Sequence, residues 1–272
     1  MSDLFTYEEG VVLLKLLIAH TLTDFFWQPD KWVKDKCARV WKSKFLWYHG
    51  LLTGAVVWLF LFDIHLWWAV LLIACTHTII DGLKLQKGLS HSQKEGYTTE
   101  EKAKYTLRLF VADQLLHIIV LFITWLFIIQ GYGRMVDLLA GIFSSYHFLV
   151  RLLGYLFVAG PAGYYIGIFT RRWSEELNMQ DSLKEAGKWI GILERILILT
   201  LVYTQQFAAI GILVAAKSIL RVIDKPDRSN MDEGFVQPFS SRKHTEYVLI
   251  GTFLSLCISL LTGLVITAVL QA

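Results

Sequence analysis

Three pairs of histidine and aspartate stand four residues apart within apolar stretches of the chain. They are His20/Asp24, His77/Asp81 and, in the reverse order, Asp113/His117. Residues at i and i+4 share one face of an α-helix, so each pair presents an imidazole and a carboxylate side by side. Ionisable groups at membrane depth are costly, and they usually face the interior of a helix bundle and mark a site. The pairs therefore predict a buried polar site able to bind a metal ion or to carry protons.

The helices that position these pairs are predicted to cross a membrane. Hydrophobic residues make up 55% of the 272 residues and aromatic residues 14%, which is typical of a polytopic membrane protein and not of a soluble globule. Most of the eight apolar segments reach the length of about 20 residues that a spanning helix needs. These segments are 10–28, 45–62, 66–83, 106–129, 148–170, 188–204, 207–222 and 246–270. We expect an all-α transmembrane bundle of about eight membrane segments, in which 188–222 is either two spans or a re-entrant hairpin.

The basic residues orient this bundle. Most of the 26 lysines and arginines lie at alternate helix ends, in segments 29–44, 84–108, 171–188 and 221–243. Because short loops rich in lysine and arginine stay on the cytoplasmic side, we expect these segments inside the cell and both termini outside. Segment 30–44 interleaves tryptophan and valine with lysine, which predicts an amphipathic helix on the inner leaflet with its lysines toward anionic lipid.

This orientation places the three pairs at one depth. The chain direction reverses between the third and fourth spans, and the order of the pair reverses with it. In each helix the aspartate therefore lies toward the cytoplasm and the histidine about one turn deeper. A further histidine on the second span falls in the same half of the membrane. The expected ligand set is His20, Asp24, His49, His77, Asp81, Asp113 and His117.

Imidazole and carboxylate ligands together suit a borderline divalent cation, with Zn²⁺ first and Mn²⁺ or Fe²⁺ as alternatives. The set is larger than one tetrahedral site needs, so either two ions share bridging carboxylates or some residues orient the others. Asp24, Asp81 and Asp113 are the candidate catalytic carboxylates, one of them acting as base toward a metal-activated water. Structural hydrogen bonds within each pair, or a proton relay without metal, are the alternative interpretations.

Amide and basic side chains are the candidates for substrate contacts. Two glutamines lie beside the predicted layer, and a lysine follows it within one turn. In the second half, two cations one turn apart on the same segment would clamp a phosphate, unless they form ion pairs between helices. The residues concerned are Gln28, Lys84, Gln114, Lys217 and Arg221. We divide the chain into a four-span His/Asp bundle at 1–129 and a C-terminal membrane half at 130–272 with a Glu/Arg/Lys cluster.

The stretches that carry the candidate ligands resemble a family of bacterial integral-membrane proteins catalogued as domain of unknown function 3307. They are LLIAHTLTDFFWQPD, WYHGLLTG, THTIIDGLK and VADQLLHII. Longer members are also similar in GKWIGILERILIL, IGILVAAKSILR and EYVLIGTFLS. The resemblance implies a multi-pass protein of the bacterial cytoplasmic membrane and brings no established activity. A weaker resemblance, in histidines and aspartates on membrane helices alone, links the chain to membrane-bound metal-dependent hydrolases.

The function we expect is that of an integral-membrane, metal-dependent hydrolase acting from the cytoplasmic leaflet on a phosphoester or lipid-linked substrate. One alternative is a transporter or carrier that uses the same layer for an ion or protons. Another is a non-catalytic membrane component that docks a cytoplasmic partner through its basic loops. The expected partners are the bilayer and an anionic lipid or lipid-linked substrate. Nucleic acid is not expected, because the basic residues form no separate domain. The sequence leaves the oligomeric state open.

Overall fold

A computed structural model describes residues 5–93, 96–176, 184–223 and 241–271. Within these ranges every regular element is helical, which confirms the predicted all-α fold. The chain divides into two units, Met1–Leu139 and Ala140–Ala272. The sequence predicted a boundary between 129 and 130, just after a long helix. The boundary between the two units instead falls between Leu139 and Ala140, within the following helix. The functional division into a site half and a charged half stays a prediction.

Two helices of the first unit start at capping boxes. The helices of this unit are α1 (Tyr7–Thr21), α2 (Asp30–Arg39), α3 (Lys44–Leu61), α4 (Trp67–Ser92), α5 (Thr99–Ile128) and α6 (Tyr132–Ser144), which runs into the second unit. Thr6 and Glu9 form a capping box at the start of α1, and Thr98 and Glu101 form one at the start of α5. Each box satisfies backbone N–H groups that have no partner within the helix, and so fixes where the helix begins.

The chain turns sharply after α1. At Thr21 the helix passes into a π-helical turn, Leu22–Phe26, and Pro29 then begins α2 in a new direction. The bend between Tyr7–Phe26 and Asp30–Lys42 is 85°. Proline fixes its own φ and biases the residue before it away from the helical region, which accounts for the break. The bend lays α2 against α3 and α4.

Helices α3, α4 and α5 pack as consecutive neighbours, and α1 packs against α3 and α5. Small residues allow α3 and α4 to approach closely. A Cβ atom on Gly50 would overlap the Thr78 hydroxyl, and one on Gly54 would lie 3.0 Å from the Cβ of Ala74. The apolar core between these helices includes Leu16, Val57, Ile73, Leu121 and Trp125. This close packing fixes the positions of the polar residues one or two turns away.

The second unit contains α7 (Tyr146–Ala159), α8 (Pro161–Glu176), α9 (Lys184–Tyr203), α10 (Phe207–Ile223) and α11 (Ser241–Gln271). Helix α9 packs against α7 and α11, with Val158, Leu199 and Val202 fully or almost fully buried. The run from α7 to α8 is interrupted at Gly160, because Pro161 has no N–H to continue the hydrogen-bond ladder. Proline is well suited to the first position of the new helix.

Five helical stretches among the described residues are long and apolar enough to cross a membrane. They are Lys44–Leu61, Ile64–Ser92, Thr99–Ile128, Tyr146–Arg171 and Tyr247–Gln271. A sixth exists if the bent pair Tyr7–Phe26 and Asp30–Lys42 counts as one span. Helices able to span a membrane are thus confirmed, and the number of eight is not.

Two of the eight predicted segments, both in the second unit, are not among these candidate spans. Segment 188–204 lies in α9, which carries the charged residues Lys188, Glu194 and Arg195 along its length. Segment 207–222 lies in α10, whose apolar part, Phe207–Lys217, is shorter than the roughly 20 residues of a spanning helix. Segment 30–44 forms α2 and one 3₁₀ turn, Val40–Lys42. Its predicted place on the inner leaflet stays a prediction.

Candidate metal centre

Four helical segments of the first unit bring all seven predicted ligands into one cluster. Helix α1 supplies His20, the π-helical turn after it supplies Asp24, α3 supplies His49, α4 supplies His77 and Asp81, and α5 supplies Asp113 and His117. None of these side chains is more than 8% exposed. We call this group the His/Asp cluster. Asp24 lies within the π-helical turn, a deviation from α-helix that is frequent at functional sites.

Three ligand atoms at the centre of the cluster are close to equidistant. The Nε2 atoms of His49 and His77 are 3.0 Å apart. Oδ1 of Asp24 lies 3.3 Å from the first of them and 3.2 Å from the second. Ligands bound at about 2.0–2.1 Å to a tetrahedral ion are roughly 3.3–3.4 Å from one another, by simple geometry. These three atoms, which we call the ligand triangle, therefore have the spacing of ligands around one shared cation.

The hydrogen bonds of the ligand triangle are incomplete. Asp24 Oδ1 and His49 Nδ1 are buried and make no hydrogen bond among the described residues. A direct N–H···N bond between the two imidazoles would satisfy His49 Nε2 and His77 Nε2 and leave the carboxylate oxygen unpartnered. An unsatisfied buried polar atom costs about 1–3 kcal/mol, and more for a charged group. The unpartnered carboxylate oxygen, next to two imidazole nitrogens, fits a bound cation.

Asp81 lies beside the ligand triangle and carries its own counter-ion. Its Oδ2 atom is 3.6 Å from His49 Nε2. The Lys36 ammonium, on α2, donates to the same oxygen at 2.9 Å. Lys36 is only 3% exposed, so the pair is fully enclosed. The bend after α1 is what brings this lysine into the cluster.

Asp113 and His117 form the part of the cluster nearest to Lys84. The Lys84 ammonium donates to Asp113 Oδ2 at 2.7 Å, and the Gln114 amide donates to the same atom at 3.1 Å. His117 Nδ1 lies 3.0 Å from the backbone carbonyl of Asp113, which can only accept, so Nδ1 carries the proton. The lone pair of His117 is then on Nε2, which is buried and has no hydrogen-bond partner among the described residues. This nitrogen is in the protonation state that a metal ligand requires.

The charges of the cluster leave one carboxylate unbalanced. Lys36 pairs with Asp81, and Lys84 pairs with Asp113. Asp24 has no lysine or arginine partner in the described part of the chain, and the nearest groups are imidazoles. A proton on a histidine or a divalent cation would supply the missing positive charge. The unbalanced carboxylate is the same one whose oxygen completes the ligand triangle.

Three of the predicted substrate contacts touch the cluster, and two lie in the other unit. The Gln28 amide nitrogen is 3.0 Å from His49 Nε2. Gln114 reaches both His20 and Asp24, at 3.3 Å and 3.2 Å, while Lys84 pairs with Asp113 as described. Lys217 belongs to the second unit, where it forms an ion pair with Glu194. The side chain of Arg221 lies outside the described residues, so the phosphate clamp stays a prediction.

Lys36 is the cluster residue that the sequence did not single out. Segment 30–44 was expected to turn its lysines toward lipid, and Lys36 instead points inward to Asp81. The sequence does contain an indication: Lys36 stands three residues after Val33 and four before Val40, and so shares their helix face. A lysine on the apolar face of an amphipathic helix needs a buried acidic partner.

The space next to the cluster is small. A cavity of about 10 Å³ is lined by His20, His77 and His117 together with aliphatic and threonine residues of α3, α4 and α5. This volume has room for about one water molecule. Three imidazole rings meet there, with centroids 4.2 Å apart for His77 and His117 and 5.1 Å for His20 and His117. A larger reactant would need the helices to separate.

Residues 12–142 match the model of a family described as "Protein of unknown function (DUF3307)". This match confirms the resemblance noted in the sequence. The match includes the entire His/Asp cluster, together with Lys36 and Lys84. No curated protein and no solved structure matches the chain. The family description assigns no activity, so the chemistry of the cluster is the basis for a functional proposal.

Proposed function

We propose that this chain is an integral-membrane, metal-dependent hydrolase that acts on a phosphoester or lipid-linked substrate from the cytoplasmic leaflet. The ligand triangle carries the proposal, because its three atoms have the spacing of ligands around one ion. Catalytic zinc sites commonly use three protein ligands of this kind and keep a further position open. We favour Zn²⁺, with Mn²⁺ or Fe²⁺ as alternatives. A divalent ion here would act as a Lewis acid and activate water for attack.

The remaining residues of the cluster support this site in distinct ways. Asp81 is the candidate base, since it lies next to the ligand triangle, 3.6 Å from His49 Nε2. Gln114 donates to Asp24 and so orients that ligand, as partners of metal ligands do. Lys36 and Lys84 already supply positive charge at Asp81 and Asp113. We therefore propose one ion at the triangle and not two across the cluster.

The proposal includes the expected location. The chain would lie in the bacterial cytoplasmic membrane as a multi-pass protein, with its basic segments on the cytoplasmic side. In that orientation Asp81 and Asp113 are nearer the cytoplasm than their paired histidines. Lys84 and the ends of α4 and α5 would then face the inner leaflet, where a lipid-linked substrate would arrive.

Metal analysis of the purified full chain tests the site directly. Elemental analysis in detergent is expected to find about one transition-metal ion per chain. His77→Ala removes one ligand and is expected to lower the metal affinity by at least about 10–100-fold, the effect seen even for residues that only orient ligands. His147→Ala changes an exposed histidine and is the matched control. Wild-type protein without stoichiometric metal, or His77→Ala protein that retains it, would refute the proposal.

Hydrolysis separates the catalytic step from metal binding. The full chain loaded with zinc is assayed with bis(p-nitrophenyl) phosphate, a soluble phosphodiester whose product is coloured. Asp81→Asn is expected to lower turnover by about 10²–10⁴-fold while it keeps the metal, because the lost step is proton transfer. Asp137→Asn, at an exposed position, is the control. Equal turnover in Asp81→Asn and wild type would exclude Asp81 as the base.

One observation favours a second candidate, a carrier of protons or metal ions. The cavity beside the cluster has room for about one water, and the imidazoles of three helices line it, as in proton relays within membranes. Flux measurements on full-chain proteoliposomes distinguish the two functions. Proton or zinc flux that is lost in His77→Ala, without any phosphodiester hydrolysis, would establish the carrier. Hydrolysis without flux would exclude it.

A further inference from the structure

An open cleft of about 660 Å³ lies between the C-terminal end of α4 and the N-terminal end of α5. It is separate from the small cavity beside the imidazoles. Its walls carry three basic side chains and three aromatic rings: Lys87, His91, Tyr97, Lys104, Tyr105 and Arg108. The volume is within the usual range for sites that bind small ligands.

The lengths of the two helices place the cleft outside the hydrocarbon layer. Helix α5 has 30 residues, which corresponds to about 45 Å at 1.5 Å per residue, whereas the hydrocarbon core is about 30 Å thick. The first third of α5, residues 99–108, holds all of its charged side chains except Asp113, and the last two thirds are mostly apolar. The excess length therefore projects at the end that bears the cleft, at the depth of the lipid headgroups.

Among its described lining residues the cleft has more positive than negative charge, with three basic side chains against one carboxylate. Lys87 and Arg108 have no acidic partner among the described residues. The Glu101 carboxylate is engaged at the helix cap, where it accepts from the Thr98 backbone N–H at 2.8 Å and from its hydroxyl at 3.0 Å. Lys104 pairs with Glu100 at 2.8 Å. Arginine and lysine together favour a phosphate group, which accepts bidentate bonds from a guanidinium and binds ammonium as a point charge.

Aromatic rings form the rest of the cleft wall. The His91 ring is in edge contact with Tyr97 and Tyr105, with centroids 4.4 Å and 3.7 Å away. Tyrosine is enriched where one side of a residue meets hydrocarbon and the other meets water. These rings suit the glycerol and upper acyl region of a lipid whose phosphate lies against the basic residues.

A row of cations connects the cleft to the His/Asp cluster. Lys84 stands three residues before Lys87 on α4, and so lies on the same side of the helix. Its ammonium is 5.7 Å from the centre of the Phe110 ring and 2.7 Å from Asp113 Oδ2. A phosphate-bearing molecule held in the cleft would thus be next to the residues that border the proposed metal site.

We propose that this cleft binds the phosphate-bearing headgroup of an anionic phospholipid. The inference deepens the proposed function, on which its catalytic meaning rests, because it names the substrate class that the hydrolase would receive. The shared chemistry is a phosphate ester or phosphate ion at Lys87 and Arg108. The source is either a membrane lipid or free phosphate, and the experiment has one arm for each.

The test measures binding to the full chain in non-ionic detergent. Native mass spectrometry gives the apparent affinity for phosphatidylglycerol and for phosphatidylcholine, and isothermal titration calorimetry gives that for inorganic phosphate. Wild type is expected to prefer phosphatidylglycerol. The double variant Lys87→Glu/Arg108→Glu is expected to weaken phosphatidylglycerol binding at least about tenfold and to abolish the preference, because two charge-assisted contacts are lost. Phosphate binding with the same dependence on Lys87 and Arg108, without any lipid preference, supports the site with free phosphate as its source.

A matched control and a milder variant keep the test decisive. Lys31→Glu/Lys102→Glu makes the same charge change outside the cleft and is expected to alter the affinity less than about twofold. If the charge reversal does not fold, Lys87→Gln/Arg108→Gln replaces it, with the same expected direction. An unchanged preference in the cleft variants, or an equal loss in the control, overturns the proposal. Wild type that binds neither phosphatidylglycerol preferentially nor inorganic phosphate also overturns it.

Failure of the proposed function would be visible separately. His77→Ala is expected to lose metal and to keep its preference for phosphatidylglycerol, since the cleft does not include the ligand triangle. The cleft variants are expected to keep their metal. Protein that binds the lipid without ever binding metal supports the cleft and refutes the hydrolase. Protein with metal whose lipid preference ignores Lys87 and Arg108 supports the hydrolase site and refutes the cleft.

Discussion

The two units bury charged side chains in different ways. In the second unit Arg195 is 5% exposed, and its Nε donates to the backbone carbonyl of Val158. That carbonyl lies in the last turn of α7, where carbonyl groups lack a donor within their own helix. Glu194, next to Arg195, pairs with Lys217. Each of these three charged groups has an interaction that accounts for its presence.

The first unit buries ionisable side chains whose polar atoms do not all have hydrogen-bond partners. Among the described residues, the unpartnered buried atoms of the cluster belong to Asp24, His49, Asp113 and His117. Those of the second unit are neutral hydroxyls, on Tyr203 and Ser255. A buried charge alone therefore does not distinguish a site from a structural contact. The distinguishing property is a set of converging ligand atoms that includes an unpartnered carboxylate oxygen.

Removal of a buried lysine from the cluster is expected to have the largest effect. Lys36→Met leaves Asp81 as a buried carboxylate without its counter-ion. Breaking such a pair costs about 3–5 kcal/mol of the free energy of unfolding. The loss is measured by thermal or SDS-induced unfolding of the full chain in detergent. Lys34→Met, at an exposed position of the same helix, is the control and is expected to change the value by less than about 0.5 kcal/mol. A small loss for Lys36→Met would show that the pair is not enclosed as described.

Zinc should stabilise the wild-type chain through the ligand triangle. At a free concentration of 100 times the dissociation constant, binding adds about 2.7 kcal/mol to the free energy of unfolding. Asp24→Asn removes the unbalanced charge of the triangle and is expected to abolish that increment. Arg195→Lys changes a buried charge of the second unit and is expected to preserve the increment, although the variant itself is less stable. Unfolding curves with zinc and with a chelator measure both. An increment that survives Asp24→Asn would place the metal elsewhere.

Each unit has a glycine at a close helix contact, so the effect of the same glycine-to-alanine substitution can be compared between the two units. Gly50→Ala forces α3 away from Thr78 on α4, and Gly263→Ala forces α11 against Val202 on α9. Overpacking of this kind costs about 1–3 kcal/mol in each case. Only Gly50→Ala is also expected to weaken metal binding, because the residue adjoins His49. Gly10→Ala, where an added Cβ meets nothing within 4 Å, is the control. Equal metal affinity in both variants would show that metal binding at the ligand triangle does not depend on the packing of α3 on α4.

The membership of the cluster could be predicted from the sequence because it depends on local periodicity. Histidine and aspartate at i and i+4 share a helix face, and the reversed order at Asp113/His117 matches the reversed direction of the chain. Neither inference needs the number of spans. The number of eight is not confirmed, because α9 carries charges along its length and α10 is apolar only as far as Lys217.

Other features of the site could not be predicted from the sequence, because they depend on where the chain turns, and helical periodicity does not predict the turns. Lys36 reaches Asp81 only because the chain bends by 85° after α1. The π-helical turn that carries Asp24 also departs from the regular helix that the spacing predicted. The cleft at Lys87 and Arg108 exists because two helix ends project side by side, although both residues were simply part of a basic loop in the sequence.

The ion pair between Lys217 and Glu194 is expected to contribute least to the free energy of unfolding. Both side chains keep some exposure, 25% and 20%, so water can replace much of what each loses. We expect Lys217→Met to cost about 1 kcal/mol, near the upper limit for exposed pairs and well below the value for Lys36. A double-mutant cycle with Glu194→Gln isolates the interaction from other effects of each substitution. A coupling energy as large as the loss in Lys36→Met would mean that the second unit also encloses its charges, and the contrast between the two units would then rest on the unpartnered ligand atoms alone.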